Sequence, residues 1–451
     1  MSLWTHNDAS EATGGHSSKP WNAMRVEIDS RKIKPGDLFV AIVGEHMDGH
    51  QFAAQALEKG AAAVVISHTP ENLPAQAPFL LVEDTLKALE ALGRFARKRT
   101  RAKVVGVTGS VGKTSTREMI RLGLSAHGST YATSGNYNNH IGTPLTLANM
   151  PMDVDFAVFE MGMNHGGEIA QLTQQVHPDI AVITNVESVH LEFFTSEQQI
   201  AEAKAEIFES MTAGSVAVLN RDNRWFDALA AAAHRRELQV IGVGEHPNAQ
   251  LRLISYQAGQ STMKVDAATI ELSLAAMGKH WAYGAMMALA VAKVLKLDVT
   301  KTTKALSQFR EVAGRGAMQL LKSGAYLIDD SYNASPASMR AAFAKLAELE
   351  RKGRLWVALG DMLELGKEGP RLHGELAVDL TAARVDGVFT AGTLMQHLHR
   401  ALPEAIRKNQ VAKAIELLPI LTDHLQQGDI LLVKGSHGSH MYQLAQALKE
   451  A

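Results

Sequence analysis

The chain has 451 residues and no cysteine, with 45 Lys and Arg against 47 Asp and Glu. That balance supplies no basic field for nucleic acid, the missing cysteines exclude disulfides and thiolate zinc sites, and the length predicts two or three domains. The polar opening MSLWTHNDASEATGG lacks a signal peptide's apolar core and no apolar run reaches a membrane span, so the expected setting is the cytoplasm.

Residues 1–101 carry three short strand-like runs, DLFVAIVG, AAAVVIS and APFLLVE, and close on a basic helix, LKALEALGRFARKRTRAK. Residues 102–313 alternate strands with helices: KVVGVTG, DFAVFEMG, DIAVITNV and SVAVLN, then a long helix, GKHWAYGAMMALAVAKVL. Residues 314–451 follow a glycine-rich junction, VAGRGAM, and restart the alternation with AYLIDDSYN, RLWVALGDM, DGVFTAG and DILLVKGSHG. Such alternation predicts an α/β protein whose mostly parallel sheets are covered on both faces. Ligands in such sheets bind beyond the carboxyl ends of the strands, where the unusual polar clusters of this chain fall. The junction from Val312 to Gly316 is a candidate hinge.

The segment VVGVTGSVGKTSTREMI nearly matches the common phosphate loop G-x-x-x-x-G-K-[ST]. Counting back from Lys113, the first glycine belongs at 107, where the residue is Val; glycines stand at 106, 109 and 112. A plain strand–turn–helix connection is the bland reading. Strand, glycine-rich turn and helix in that order favour an anion site, with Lys113 reaching phosphates and Thr114 a metal. Phosphoryl transfer also needs an acid for the metal, and Glu160 closes the strand DFAVFE at the matching sheet edge. His190 follows the strand IAVITNV and reads equally as a loop histidine or a ligand.

Lys204 is an anomaly. In the helical stretch SEQQIAEAKAEIFESM it shares the apolar stripe of Ile200, Ile207, Phe208 and Met211, whereas Glu202 and Glu206 point elsewhere. Periodicity alone favours a lysine that snorkels its head into water. The alternative is a desolvated amine open to covalent modification.

Together TGSVGKT, EMGMNHGGEI, NVESVHLEFF and AKAEIF resemble the Mur ligase family, the ATP-dependent amide ligases of peptidoglycan synthesis. That family's T-G-x-x-G-K-[ST] loop accounts for the displaced glycine. The resemblance covers nearly the whole chain, including DSRKIKPGDLFVAIVGEHMDGHQF, TSGNYNNHIGTPLTL, GRGAM and DDSYNASPASM. It implies a small α/β N-terminal domain binding the UDP-sugar peptide (1–101) and a central ATPase domain with a mostly parallel P-loop sheet (102–313). A Rossmann-like C-terminal domain (314–451) would bind nucleotide and the incoming dipeptide. EMGMNHGGEI and GNYNNHIGTP look like the member that joins D-alanyl-D-alanine to UDP-N-acetylmuramoyl-tripeptide. The D-N-P-R signature of the ligase adding the third amino acid is absent, as is the glycine-rich pattern of folylpolyglutamate synthases. The rivals are another Mur-type ligase adding a single amino acid, and a catalytically silent nucleotide-binding relative.

Residue by residue, the resemblance implies ATP on Thr108, Gly109, Ser110, Val111, Gly112, Lys113, Thr114 and Ser115, and magnesium on Thr114, Glu160 and His190. Lys204 matches the lysine that the family carboxylates to a carbamate near the metal, which reverses the snorkelling preference. His280, Arg315, Asp330, Tyr332 and Asn333 would contact the nucleotide, with Asp330 on the ribose and Tyr332 and Asn333 beside adenine. Asp29, Ser30 and Arg31 look like the uridine site, and Asn138, Asn139 and Thr143 like the segment facing the UDP-sugar peptide. Lys434 and Ser436 match positions for the incoming dipeptide or acyl end, and a monomer is expected. Two departures stand out. Trp281 and Gly284 occupy positions where the family has asparagines, and His437 replaces an arginine. His437 and His440 without further ligands do not make a zinc site.

Overall fold

The computed structural model describes residues 2–44, 47–188, 191–257, 259–274, 278–311 and 314–451. Its strands form three α/β sheets and a two-stranded ribbon that pairs Trp4–Thr5 with Asn22–Ala23. In the first sheet Arg25–Glu27, Asp37–Val40, Ala63–Ile66 and Phe79–Leu81 run parallel, and His16–Ser17 adds an antiparallel edge. Asp84 caps the helix Thr85–Arg99 by accepting the Lys87 N–H at 2.9 Å, and Arg97, Lys98 and Arg99 complement the dipole at its other end.

The central sheet has nine strands. In spatial order Thr130–Ala132, Phe156–Glu160, Lys103–Thr108, Ile180–Ile183, Val216–Asn220, Gln239–Gly244 and Leu251–Gln257 are parallel. Val105 and Val107 pack with Ile120 and Met286 of the helices Lys113–Ser125 and Lys279–Val294, while Val104 packs with Phe159 and Ile207 on the opposite face. Both faces are therefore buried, as the apolar runs predict. Register aligns Glu160 with Val107 and Ile183 with Thr108, so three strands deliver their carboxyl ends to one place.

The predicted elements did not include the antiparallel meander that Leu251–Gln257, Gln260–Val265 and Ala268–Ser273 build on the far side. Only one face of it is buried, by Leu251, Leu253, Met263, Val265 and Leu272, so its apolar signal is half that of the parallel strands.

The third sheet runs Tyr326–Asp330, Ile430–Lys434, Leu355–Gly360, Gly387–Ala391 and Arg407–Val411 in parallel, with Ala317–Leu320 antiparallel at one edge. The helix Pro336–Ala347 starts with a capping box at Ser335 and a proline in its first turn.

The first and second sheets are joined by hydrogen bonds to backbone groups. Asn149 mimics a strand edge, accepting the Val26 N–H at 2.8 Å and donating to the Val26 carbonyl at 2.8 Å. Trp4 Nε1 donates to the Ala148 carbonyl at 2.8 Å, and Arg97 donates to the Val176 and His177 carbonyls at 2.8 and 2.9 Å. Gly93 brings its helix against Gly142–Ala148, since a Cβ there would lie 3.1 Å from the Pro144 carbonyl oxygen. The third sheet meets the second differently. Leu191 packs into the cores of both, and Lys345 pairs with Glu311 at 2.5 Å across the junction. Of the predicted hinge, Val312 and Ala313 lie outside the described residues, while Gly314 and Gly316 adopt φ of 74° and 94°.

Asn149→Ala should weaken the first junction specifically. Val26 is only 1% exposed, so truncation strands its N–H and carbonyl away from water, at a cost of about 1–3 kcal/mol. Chemical denaturation should show a lower midpoint for the first unfolding transition; an unchanged midpoint would reject this role for Asn149.

Candidate active site

The phosphate loop connects Lys103–Thr108 to Lys113–Ser125. Gly106 belongs to the strand and serves packing, because a Cβ there would sit 2.7 Å from Met161 Cε. Gly109 and Gly112 belong to the loop. Gly109 has φ of 150°, and a Cβ would fall 1.9 Å from Thr184 Oγ1; Gly112 has φ of 81° and begins the helix. Thr184 Oγ1 donates to the Val111 carbonyl at 2.6 Å, the Ser110 N–H to the Asn185 carbonyl at 2.8 Å, and Ser110 Oγ to the Glu187 carbonyl at 3.1 Å. The neighbouring strand end thus holds the loop in shape. No side chain among the described residues caps the helix, so its first N–H groups suit an anion. Lys113 Nζ donates to the Gly109 and Ser110 carbonyls at 2.8 and 3.3 Å. Burial lowers its pKa, Glu160 opposes that shift, and Arg315 adds to it.

Glu160 lies at the centre of the site and is 1% exposed. Its Oε1 accepts from Thr114 Oγ1 at 3.2 Å and Asn138 Nδ2 at 2.8 Å, and its Oε2 accepts from Arg117 Nη1 at 3.2 Å. A buried carboxylate oxygen beside a threonine hydroxyl is a hard-oxygen donor set, which fits magnesium. His190 lies outside the described residues. Thr108 and Ser115 are both buried at the base of the loop.

Lys204 does not snorkel. It is 1% exposed on the helix Glu197–Ala205, among the buried Ile200, Ile207, Phe208 and Met211 that its spacing predicted. Burial, reinforced by Lys113, pushes its pKa well below that of an ordinary lysine. Glu206 pulls the other way, but its carboxylate accepts the Gly167 and Ala170 N–H groups at 2.7 and 3.1 Å and is committed to the start of the helix Glu168–Val176.

The third sheet places its residues over this site. The Arg315 guanidinium lies 4.0 Å from the Tyr332 ring centre, and its charge lowers the pKa of both Lys113 and Arg117. Asp330 accepts from Lys434 Nζ at 2.7 Å, and the same amine donates to the Asn333 carbonyl at 3.0 Å. Asp330, Asn333 and Lys434 therefore form one unit, where the motifs had assigned them to different ligands. The Ser436 hydroxyl accepts the Leu363 N–H at 2.9 Å and donates to the Ala334 carbonyl at 3.3 Å, tying two loops together. His437 is exposed and stacks on Tyr442 with ring centres 4.9 Å apart, and among the described residues it and His440 gain no third metal ligand.

His280 lies against Trp281 with ring centres 4.5 Å apart, and desolvation, reinforced by Lys345 and Lys434, lowers its pKa to about 4. The two departures beside it are explained by packing. Trp281 packs on Phe309 with ring centres 5.3 Å apart, and Gly284 admits the helix against Lys113–Ser125, since a Cβ there would lie 2.9 Å from Met119 Sδ.

At the turn expected to take uridine, Asp29 caps Ser30–Lys32 and accepts two hydrogen bonds of 2.9 Å from the Arg31 guanidinium, which lowers the pKa of its carboxyl to about 2. Lys59 Nζ donates to the Ser30 carbonyl at 2.8 Å, and Lys32 Nζ to the Tyr137 hydroxyl at 3.2 Å. Of the residues expected to face the sugar peptide, Asn138 instead turns to Glu160. Asn139 Oδ1 accepts the Gly142 N–H at 2.8 Å and starts the helix Gly142–Ala148, and the buried Thr143 hydroxyl has no partner among the described residues. Lys32, Tyr137, Thr184 and Arg117 were not anticipated. Arg117 carried a readable signal: it shares the buried stripe of Ile120 and Leu124, the same anomaly that marks Lys204.

Known proteins agree with this geometry along the whole chain. Residues 24–97 match the Mur ligase family catalytic domain, 107–292 the Mur ligase middle domain, and 314–437 the Mur ligase glutamate ligase domain. The UDP-N-acetylmuramoyl-tripeptide–D-alanyl-D-alanine ligase of Rickettsia prowazekii is 33% identical over 97% of each chain. A crystal structure of MurF from Acinetobacter baumannii superposes with a TM-score of 0.86 at 29% identity, covering 99% of both chains. MurF ligase from Thermotoga maritima, solved in complex with ADP, gives 0.80 at 27% identity over 94% of this chain and 97% of that one. Matched in all three parts and along nearly its full length, the chain belongs to the Mur ligase family.

Proposed function

We propose that this protein is the ADP-forming ligase that joins D-alanyl-D-alanine to UDP-N-acetylmuramoyl-tripeptide, completing the peptidoglycan precursor in the cytoplasm as a monomer. The observation that carries the reading is the convergence of the phosphate loop, Glu160 and Lys204 in a chain similar end to end to ligases of that name. No described helix is long and apolar enough to cross a membrane.

The substrate carboxylate attacks the γ-phosphorus of ATP, the bond to the β-phosphate oxygen breaks, and an acyl phosphate forms with ADP. The free amine of the dipeptide then attacks the acyl carbon, phosphate departs, and the amine loses its proton. The first step brings two anions together, so Lys113 and the helix N–H groups must offset their repulsion. Thr114 and Glu160 would hold magnesium, with His190 as the further ligand expected from the motifs; bound there, magnesium supplies neutralisation of phosphate charge.

Arg315, Tyr332, Asp330, Asn333 and His280 cover the nucleotide, and Asp29, Ser30 and Arg31 take the uridine end. Lys434 and Ser436 hold the loop that faces the incoming dipeptide. The Lys204 amine, whose protonation its burial disfavours, adds in its neutral form to carbon dioxide; an N–C bond forms and a proton leaves, giving a carbamate beside the phosphate site.

Three outcomes follow. Phosphate release in the presence of ATP and UDP-tripeptide should require D-Ala-D-Ala; equal release with single amino acids would favour another Mur-type ligase, and none with either would indicate a silent relative.

Lys113→Ala and Gly109→Ala should both abolish ligation while leaving UDP-tripeptide binding, measured by calorimetry, close to wild type. Near-normal turnover in either variant would end the phosphate-loop assignment.

Wild-type protein equilibrated with 13C-bicarbonate should show a carbamate carbon resonance that is missing in Lys204→Ala. That variant should fold, since alanine suits a helix, yet lose most turnover. A resonance that persists in Lys204→Ala would place the carbamate elsewhere.

A further inference from the structure

Arg117 has no part in the steps above, yet it is 5% exposed and lies against the most buried carboxylate of the site. Its Nη1 makes two contacts, donating to Glu160 Oε2 at 3.2 Å and to the Gly135 carbonyl at 3.1 Å. Gly135 opens the segment that continues through Tyr137 and Asn138. Tyr137 receives a hydrogen bond from Lys32 of the uridine-side turn, and Asn138 donates to the other oxygen of Glu160. One short path of side chains therefore runs from Lys32 through the segment to both oxygens of Glu160, which meet the helix of the phosphate loop at Thr114 and Arg117, and Arg117 alone of these two also bonds the segment itself.

We propose that Arg117 is a positioning residue that couples the two ligand sites: ordering of the 135–139 segment by the uridine nucleotide fixes Glu160 for the metal–nucleotide, and the reverse. The identity of the two ligands rests on the function proposed above. The planar guanidinium reaches two acceptors in a fixed geometry, whereas a lysine offers a compact point charge. A role limited to neutralising buried Glu160 makes a different forecast, because nucleotide affinity would then fall equally whether or not the uridine nucleotide is bound.

Calorimetry with a non-hydrolysable ATP analogue and magnesium, with and without saturating UDP-tripeptide, distinguishes the two. In wild type the nucleotide should bind about fivefold or more tightly when UDP-tripeptide is present, and by linkage the effect must be reciprocal. Arg117→Gln should bring the ratio of affinities close to one, and Arg117→Lys should leave it between the two. Tyr137→Phe, which removes the contact with Lys32 at the surface, should also lower the ratio and replaces Arg117→Gln if that variant does not fold. A wild-type ratio of one, or a wild-type ratio retained in Arg117→Gln or in Tyr137→Phe, overturns the coupling. Absence of ligation by wild-type enzyme would refute the proposed function; ligation with a ratio of one refutes the coupling alone.

Discussion

A carboxylate with 1% exposure costs several kcal/mol unless its charge is met, and Glu160 is met from three directions. Thr114 comes from the first turn of the helix after the phosphate loop, Arg117 from its second turn, and Asn138 from the segment that leads back to the first domain. Each partner is useful only if the central sheet keeps its register, because Glu160 stands opposite Val107, two residues before Gly109 of the loop. The register is in turn held by Val and Ile side chains buried on both faces. The site is consequently as rigid as the core beneath it, which is what positioning a phosphoryl group demands.

The junctions between the sheets differ in kind. Asn149, Trp4 and Arg97 close the first one with backbone-directed hydrogen bonds, and Gly93 lets two helices pack closely across it. The contacts at the second include a shared Leu191, the Glu192 N–H donating to the Glu364 carbonyl at 3.2 Å, an ion pair and a glycine-rich connection. An acyl phosphate must be kept from water and its products must still leave, so a closely packed first junction and a glycine-rich second one suit the chemistry. Arg315 and Tyr332 are the residues that such a movement would carry toward or away from Lys113.

Long apolar strands and acids at their ends were legible because both depend on local pattern. Lys103–Thr108, Phe156–Glu160, Ile180–Ile183 and Val216–Asn220 were predicted from their apolar runs, and Glu160 from its place at the end of one, whereas the parallel strands Thr130–Ala132, Gln239–Gly244 and Arg407–Val411 were not. The meander from Leu251 to Ser273 escaped because it buries a single face. Side-chain direction in irregular segments was not legible either. Asn138 was read as facing the sugar peptide, but its direction depends on Gly162 lying close enough that a Cβ there would be 3.1 Å from the Asn138 side chain. Lys434 and Asp330 are 104 residues apart and meet only through the register of two parallel strands. Trp281 and Gly284, which stand where the family has asparagines, are explained by the spacing of two helices, a quantity no motif records.

Lys204 and Lys113 show how the site handles excess positive charge. Lys113 disfavours protonation of the buried Lys204, and Arg117 and Arg315 stand near Lys113 with charges that cannot be given up. Of these four groups Lys204 is the one driven furthest toward neutrality, since Glu160 partly supports the charge on Lys113 while Glu206 is occupied by backbone N–H groups. Its lowered pKa means that the unfolded chain binds a proton which the folded chain does not, between the folded value and the ordinary lysine value of about 10.5. Over that window a bare amine at this position contributes stability that rises with pH. Below the folded value the amine must be charged against Lys113, so the fold is penalised in full. Converting the amine to the proposed carbamate replaces a site that resists charge with an anion facing Lys113, turning repulsion into attraction without moving the backbone. The same burial that makes Lys204 a poor cation thus makes it the side chain of this site best prepared to become an anion.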